Sequence, residues 1–148
     1  MTEIRNTTLQ DIDAAMALAR SVMELFPGMD TEEDVQTFGE TVKEFVARNE
    51  AITATANGGE FAGLLLFSRQ EREISYLAVD KRFRGLGLAG RMMKKAMDTL
   101  GEGEVFVITF RADHPEGAPA RALYQKFGFR DDELMEIAGC PVQKLIRE

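Results

Sequence analysis

The stretch VDKRFRGLGLAGRMM, residues 79–93, decides the fold. It starts at the end of an apolar run, Ile74 to Val79, that is typical of a β-strand, and it continues into a segment with helical spacing of its apolar residues. Those residues are Leu88, Ala89, Met92, Met93, Ala96, Met97 and Leu100. Small residues let a backbone approach a ligand, and the free N–H groups at a helix start form an anion site. The stretch therefore predicts a strand, an anion-binding turn and a helix.

A further apolar run, Val105 to Phe110, follows this helix, which Gly101 closes. A strand, a helix and a strand in this order form a crossover unit, so the two strands are predicted to lie parallel. Downstream, a last helix is predicted with Pro119 near its first turn and Gly128 beyond its end. Strands near 129–136 and 142–146 complete this half of the chain.

The first half predicts two amphipathic helices and then a hairpin. Thr8 is placed to cap a helix that ends near Phe26, and Asp30 or Thr31 starts a second helix. Segments 51–56 and 60–68 flank Asn57-Gly58-Gly59, whose residues tolerate positive φ, and so predict a β-hairpin. Both helices are expected to precede any strong strand pair. The pattern favours one mixed sheet with helices on both faces.

Composition narrows the classes of protein and partner. With 148 residues, 45% of them hydrophobic, the chain can bury one substantial core, so we expect a single domain over residues 1–148. The net charge of -7 disfavours nucleic acid and anionic membranes as partners. One cysteine, Cys140, and one histidine, His114, exclude an internal disulfide and leave too few ligands for structural zinc, so metal-free chemistry is expected.

The expected location is the cytoplasm. No apolar run reaches the roughly 20 residues of a membrane helix. The N-terminal residues Met1 to Asn6 lack the basic and apolar parts of a signal peptide.

Basic residues surround the glycine-rich turn in this otherwise acidic chain. They are Lys81, Arg82, Arg84, Arg91, Lys94 and Lys95. The cluster fits a phosphate-rich cofactor better than a neutral ligand. For Arg91, Lys94 and Lys95 a solvated helix face is the alternative, because their spacing opposes the methionine stripe.

Two motifs in order carry a resemblance to a known family. Arg84-x-x-Gly87-x-Ala89 is similar to the acetyl-CoA signature of the GNAT acetyltransferase superfamily, and the segment Leu123 to Phe129 resembles the family's later Leu-Tyr-x-Lys-x-Gly-Phe segment. The resemblance covers roughly residues 60 to 130 strongly. It implies a mixed α/β fold, with a mostly antiparallel central sheet of about seven strands and helices on both faces. Relatives often dimerise, so a homodimer is one expectation.

A dinucleotide-binding motif competes with this interpretation. Residues 85–90 match Gly-x-Gly-x-x-Gly literally, but in a Rossmann domain the glycines follow the strand almost directly, whereas here Asp80 to Arg84 intervene. Too little chain follows to complete such a domain. A Walker loop also fails, because Arg91-Met92 follows Gly90 where Lys and a hydroxyl residue are required.

The resemblance implies the cofactor-binding residues. Acetyl-CoA is the expected cosubstrate, with its pantetheine arm bonded to the backbone of the Ile74–Val79 strand near Leu77 and Val79 and an amide of Leu77 or Ala78 facing the oxyanion. The diphosphate is expected on Arg84, Gly85, Leu86, Gly87, Leu88, Ala89 and Gly90. Tyr124 is expected next to the cofactor sulfur.

Two side chains are the candidate catalytic groups. Tyr124 matches the family's tyrosine that protonates the departing thiolate, with a core aromatic residue as the alternative. Glu73 matches the glutamate base of histone-acetylating relatives, with an exposed strand-end charge as the alternative and a bound water chain as another base. Gly117 stands where the family often has asparagine, so one cofactor contact is in question. His114 is expected to be a loop residue and Cys140 a partly buried hydrophobe.

The sequence thus predicts transfer of an acetyl group from acetyl-CoA to a primary amine, by direct attack in a ternary complex. The rival from another class is a non-catalytic acyl-CoA sensor or interaction module with the same fold. The acceptor, a small-molecule or protein amine, depends on Arg20 to Arg48 and the closing strands, which contain no recognisable motif.

Overall fold

A computed structural model describes residues 1–148 and contains one seven-stranded sheet. Its strands are β1 (Glu3–Asn6), β2 (Ala51–Ala56), β3 (Glu60–Ser68), β4 (Glu73–Val79), β5 (Val105–Phe110), β6 (Arg130–Ile137) and β7 (Cys140–Arg147). They lie in the order β1-β2-β3-β4-β5-β7-β6. Every neighbouring pair is antiparallel except β4 and β5, which are parallel as the crossover unit predicts. The mixed, mostly antiparallel sheet is confirmed.

Four α-helices cover the two faces of the sheet: α1 (Ile12–Ser21), α2 (Glu32–Ala47), α3 (Leu88–Leu100) and α4 (Ala118–Lys126). The apolar face of α3 packs on one side with Tyr124 of α4, and α1 and α2 pack on the other. The strand β3 faces both cores, because Leu65 belongs to the first and Leu64 and Leu66 to the second. This explains the unbroken apolar run in β3. No helix combines the length and apolar character that crossing a membrane requires.

The N-terminal region differs from the prediction in two respects. A short strand, β1, precedes the helices and pairs with β2, although no strand was predicted before Thr8. The helix predicted from Thr8 to Phe26 is divided into a 3-10 turn at Leu9–Asp11, the helix α1, and a second 3-10 turn at Met23–Leu25. A four-residue edge strand is too short to show a period, so its pairing with β2 decides its conformation.

The start of α2 agrees with the sequence in detail. Thr31 caps the helix by accepting a hydrogen bond from the amide of Asp34 at 3.1 Å, and the Asp34 carboxylate accepts from the amide of Thr31 at 3.0 Å. This reciprocal capping satisfies two amides that the helix itself cannot pair. The loop that contains Phe26 and Pro27 therefore runs between the 3-10 turn Met23–Leu25 and the capped start of α2.

An irregularity in β4 lies next to the point where the sheet opens. Phe67 of β3 pairs with Ile74 and Leu66 pairs with Tyr76, so Ser75 is an extra residue in β4, a β-bulge. On its other edge β4 pairs with β5 only at Glu73 and Ile74. Beyond Ile74 the two parallel strands part, and a cleft remains between them.

Candidate active site

The cleft between β4 and β5 contains a cavity of about 270 Å³. Glu73 and Tyr124 both line it, although they are far apart in sequence and lie on a strand and a helix. Its other walls come from the loop after α1, from β4 and β5, from the start of α4 and from the β6–β7 hairpin. Those wall residues include Phe26, Pro27, Ser75, Leu77, Thr109, Glu116 and Ile137. The fold thus brings both candidate catalytic side chains to one cavity.

The edge of β4 that faces the cleft has backbone groups to offer. Asp80 donates its amide to Ala62 on the β3 side at 2.7 Å. Alternation along an antiparallel pair then turns the amide of Ala78 to β3 as well, and those of Leu77 and Val79 to the cleft. Of the two amides considered for the oxyanion, Leu77 is therefore the one with access, and Leu77 lines the cavity.

The turn between β4 and α3 presents a row of amides. Gly85 and Gly87 have φ of 83° and 76°, a region that favours glycine, and Gly87 is the residue that precedes α3. The helix begins at Leu88, the first of the apolar residues with helical spacing. Within α3 the amide of Arg91 donates to the carbonyl of Gly87 at 3.1 Å, so the amides of Leu88, Ala89 and Gly90 precede the first helical hydrogen bond. This arrangement suits a bound anion.

The basic residues near this turn are mostly engaged with other groups. Lys81 pairs with Glu24 at 3.0 Å, Arg82 with Asp80 at 3.1 Å, and Lys94 with Asp98 at 2.9 Å. Arg91 donates to the hydroxyl of Thr2. Arg84 forms none of the salt bridges. Three of the six basic residues are therefore paired with carboxylates, whereas Arg84, Arg91 and Lys95 form no salt bridge, and Arg84 is the cation within the motif that is left to meet an anion.

Glu73 is a half-buried carboxyl at the start of β4. Burial raises its pKa above the usual value, and the nearby negative charge of Glu71 acts in the same direction. The hydroxyl of Ser75 donates to Glu73 Oε1 at 3.3 Å and opposes that shift only in part. A carboxylate with a raised pKa is a better proton acceptor than an exposed one.

Tyr124 is buried in α4 at 5% exposure and packs with Phe129, their ring centroids 5.9 Å apart. Burial raises the pKa of its phenol, so the group keeps its proton at neutral pH. A protonated phenol on a cavity wall can donate to a leaving anion. Tyr124 belongs to the core and also lines the cavity, so its place in the fold is compatible with both alternatives.

Gly117 lies against Phe110. A Cβ at this position would stand 2.8 Å from the Cβ of Phe110, closer than two such atoms can approach. No side chain is accommodated here without a shift, so the side-chain contact of the family's asparagine has no counterpart at this position. His114 stacks flat on Phe110 at 3.8 Å between ring centroids, and its Nδ1 accepts the amide of Glu116 at 3.0 Å. Cys140 lies outside the cavity wall.

Comparison with known proteins decides the family. The family model described as the acetyltransferase (GNAT) family matches residues 15–129. The chain belongs to the GNAT acetyltransferase family. No curated protein matches its sequence significantly.

Solved GNAT structures share the fold over nearly their whole length. A GNAT-family acetyltransferase from Bacillus cereus ATCC 10987 has a TM-score of 0.78 at 12% identity, with 100% of this chain and 97% of the other covered. Ard1 from Thermoplasma volcanium has 0.75 at 20%, with 99% and 96% covered. The PaiA N-acetyltransferase from Thermoplasma acidophilum, in complex with coenzyme A, has 0.71 at 15%, with 100% and 99% covered. At these sequence identities the similarity shows a common fold alone.

Several cavity residues of this GNAT acetyltransferase were not singled out by the sequence. Phe26 and Pro27 follow α1 without a recognisable motif, and Ile137 belongs to a weakly patterned strand. Glu116 belongs to the loop 113–117, to which the sequence points only as a segment, because the loop follows the C-terminal end of a parallel strand, where sites gather. Their common place on one wall depends on contacts that only the folded chain makes.

Proposed function

We propose that this GNAT acetyltransferase transfers the acetyl group of acetyl-CoA to a primary amine by direct attack in a ternary complex. One observation carries the proposal: Glu73 and Tyr124, a candidate base and a candidate acid, line one cavity where β4 and β5 part. We further propose that residues 1–148 act as one domain in the cytoplasm.

The residues present fit a diphosphate ester with a long polar arm. Amides of Gly85 to Gly90 and the guanidinium of Arg84 would hold the diphosphate, because two glycines of positive φ aim that backbone outward at the start of α3. The free edge of β4 at Leu77 and Val79 would bind the arm as a sheet edge binds a peptide. When bound, acetyl-CoA supplies an acetyl group activated as a thioester.

The protein's own groups then handle protons and charge. Glu73 would accept the proton of the attacking amine, directly or through water. Its raised pKa makes it more basic than an exposed carboxylate. The amide of Leu77 would donate to the acetyl oxygen as negative charge develops there. The phenol of Tyr124 would give its proton to the departing sulfur.

A free-thiol release assay with acetyl-CoA over a broad panel of amines tests the reaction. Thiol release that depends on the amine is expected, together with a higher melting temperature in acetyl-CoA and an unchanged one in NAD. Stabilisation by acetyl-CoA without turnover of any amine would instead favour a sensor. Failure of coenzyme A at millimolar concentration to change either the melting temperature or the protein's spectra would refute the cofactor assignment itself.

A further inference from the structure

The charged lining of the cavity is entirely negative. Of the side chains that form its wall, Glu73 and Glu116 are the only charged ones. An ammonium group entering this cavity meets opposite charges at both positions, whereas a carboxylate meets like charges. Repulsion between like charges excludes the wrong ligand. It contributes more to specificity than charge attraction contributes to affinity for the right ligand.

Three cations lie close to the wall, but each is directed elsewhere. Arg111 donates to the carbonyls of Val142 at 3.1 Å and Met135 at 3.0 Å. Arg121 is buried and donates to the carbonyl of Phe110 and to Asp131, at 3.0 and 2.6 Å. Lys144 extends over the ring of Phe106, 4.8 Å from its centroid.

None of these three cations belongs to the cavity wall. The cavity therefore has no free positive charge that could receive a carboxylate of the acceptor.

The rest of the acceptor side is apolar. Leu25, Phe26 and Pro27 from the loop after α1, and Ile137 from the β6–β7 hairpin, face the cavity. Phe26 is held in place by stacking on Tyr76 with 4.3 Å between ring centroids. Such walls favour an apolar stem, because each methylene group that they bury contributes favourably to the free energy of binding.

The loop that contains Glu116 is held on both sides. His114 accepts the amide of Glu116 and stacks on Phe110, while Gly117 packs directly against Phe110. The Glu116 side chain is exposed and takes part in no salt bridge. The backbone at Glu116 is thus fixed, and its carboxylate is left without a partner at the edge of the cavity.

We infer that the acceptor is a primary amine with an apolar stem, a second positive charge and no carboxylate, and that Glu116 is the residue that selects the second charge. This inference rests on the proposed function. The reacting nitrogen forms a bond to the acetyl carbon, the carbon–sulfur bond breaks, and the sulfur leaves with its electron pair and takes a proton. The products are the mono-N-acetylated diamine, a monocation with its remote ammonium intact, free coenzyme A with its thiol protonated, and one proton released to solvent.

Three probes of similar length separate the contributions: 1,5-diaminopentane, pentylamine and 5-aminopentanoate. For the unaltered protein we expect kcat/KM to fall in that order. The diamine should exceed the amino acid by about tenfold, because each of the two wall carboxylates, Glu73 and Glu116, favours an ammonium over a carboxylate by about threefold. Glu116→Lys should shrink that ratio by about tenfold, since it reverses one contact. Glu102→Lys, an equal charge change at an exposed turn outside the cavity wall, should leave the ratio within about twofold.

Binding gives a second readout, independent of turnover. Calorimetric titration of 1,5-diaminopentane into the protein saturated with coenzyme A should show weaker binding for Glu116→Lys and unchanged binding for Glu102→Lys. Equal turnover of diamine and 5-aminopentanoate, an unaltered ratio in Glu116→Lys, or turnover of other amines but none of these three would overturn the inference and leave the proposed function standing. Absence of thiol release with every amine, with no stabilisation by acetyl-CoA, would sink the proposed function instead.

Discussion

Restoring the family's usual asparagine at position 117 should damage this protein. Gly117 has φ of -89° and ψ of -16°, values that any residue adopts, so the backbone itself does not demand glycine. The obstacle is Phe110, whose Cβ lies 2.8 Å from the place of a new Cβ. This atom is attached to the β5 backbone and cannot rotate away, so either β5 or the start of α4 must move.

The size of the effect follows from two opposing contributions. Forcing an extra group into a filled site costs about 1–3 kcal/mol, while replacing glycine restricts the unfolded chain and returns about 0.4–1 kcal/mol. A net loss of about 1–2 kcal/mol is expected for Gly117→Ala, and Gly117→Asn should lie at or above the upper end. At roughly 2–4 °C per kcal/mol for a chain of this size, the melting temperature should fall by about 2–8 °C.

Thermal unfolding and acetyl-CoA titration together check this. The matched control is Gly90→Ala in the first turn of α3, where the new Cβ would meet nothing closer than the Cδ1 of Leu123 at 3.8 Å. There we expect about 0.5–1 kcal/mol of added stability, because alanine favours the helix. Cofactor binding should persist, because Gly90 contributes its amide. A Gly117→Asn protein that melts no lower than the unaltered one, or that binds acetyl-CoA more tightly, would refute the packing argument.

Three further substitutions test the site. Glu73→Gln should lower kcat and remove the acid limb of the pH–rate profile. In the unaltered protein, activity is lost as the pH falls through the pKa of Glu73. Because burial raises that pKa, the acid limb should lie above the ordinary glutamate value. An acid limb that persists in Glu73→Gln would assign the base elsewhere. Tyr124→Phe should lower kcat by a factor of about 10²–10⁴ with little change in acetyl-CoA binding. The thiol-release assay measures kcat, and calorimetry measures binding. An unchanged kcat would leave Tyr124 as a core residue. Gly87→Glu should abolish acetyl-CoA binding by placing a side chain and negative charge at the amide row, and retained binding would contradict the diphosphate assignment.

Most elements of the fold could be predicted because their signals are local. The methionine stripe of α3, the reciprocal cap of Thr31 and Asp34, and the glycines of the β2–β3 hairpin each lie within a few residues of one another. Three or four neighbouring side chains suffice to bias a backbone in such cases. The strand β1 escaped because four residues contain no period, and its conformation comes from pairing with β2.

The cavity was accessible from sequence only through the family resemblance. Glu73 and Tyr124 could be named because motifs surround them, but their meeting depends on the bulge at Ser75 and on the end of β4–β5 pairing at Ile74. A bulge is decided by how two strands pack against both cores, which no window along the chain contains.

Sequence alone determined most of the strands and helices and the position of the amide row, since these follow from local geometry, and the family resemblance singled out Glu73 and Tyr124 as the candidates for proton transfer. Tertiary structure decided that Gly117 has no room for a side chain, that the neighbouring cations are already engaged, and that Glu116 joins Glu73 on one wall. Each of these depends on how separate elements of the fold pack together, and its energy depends on distances that exist only once the sheet has closed on its helices.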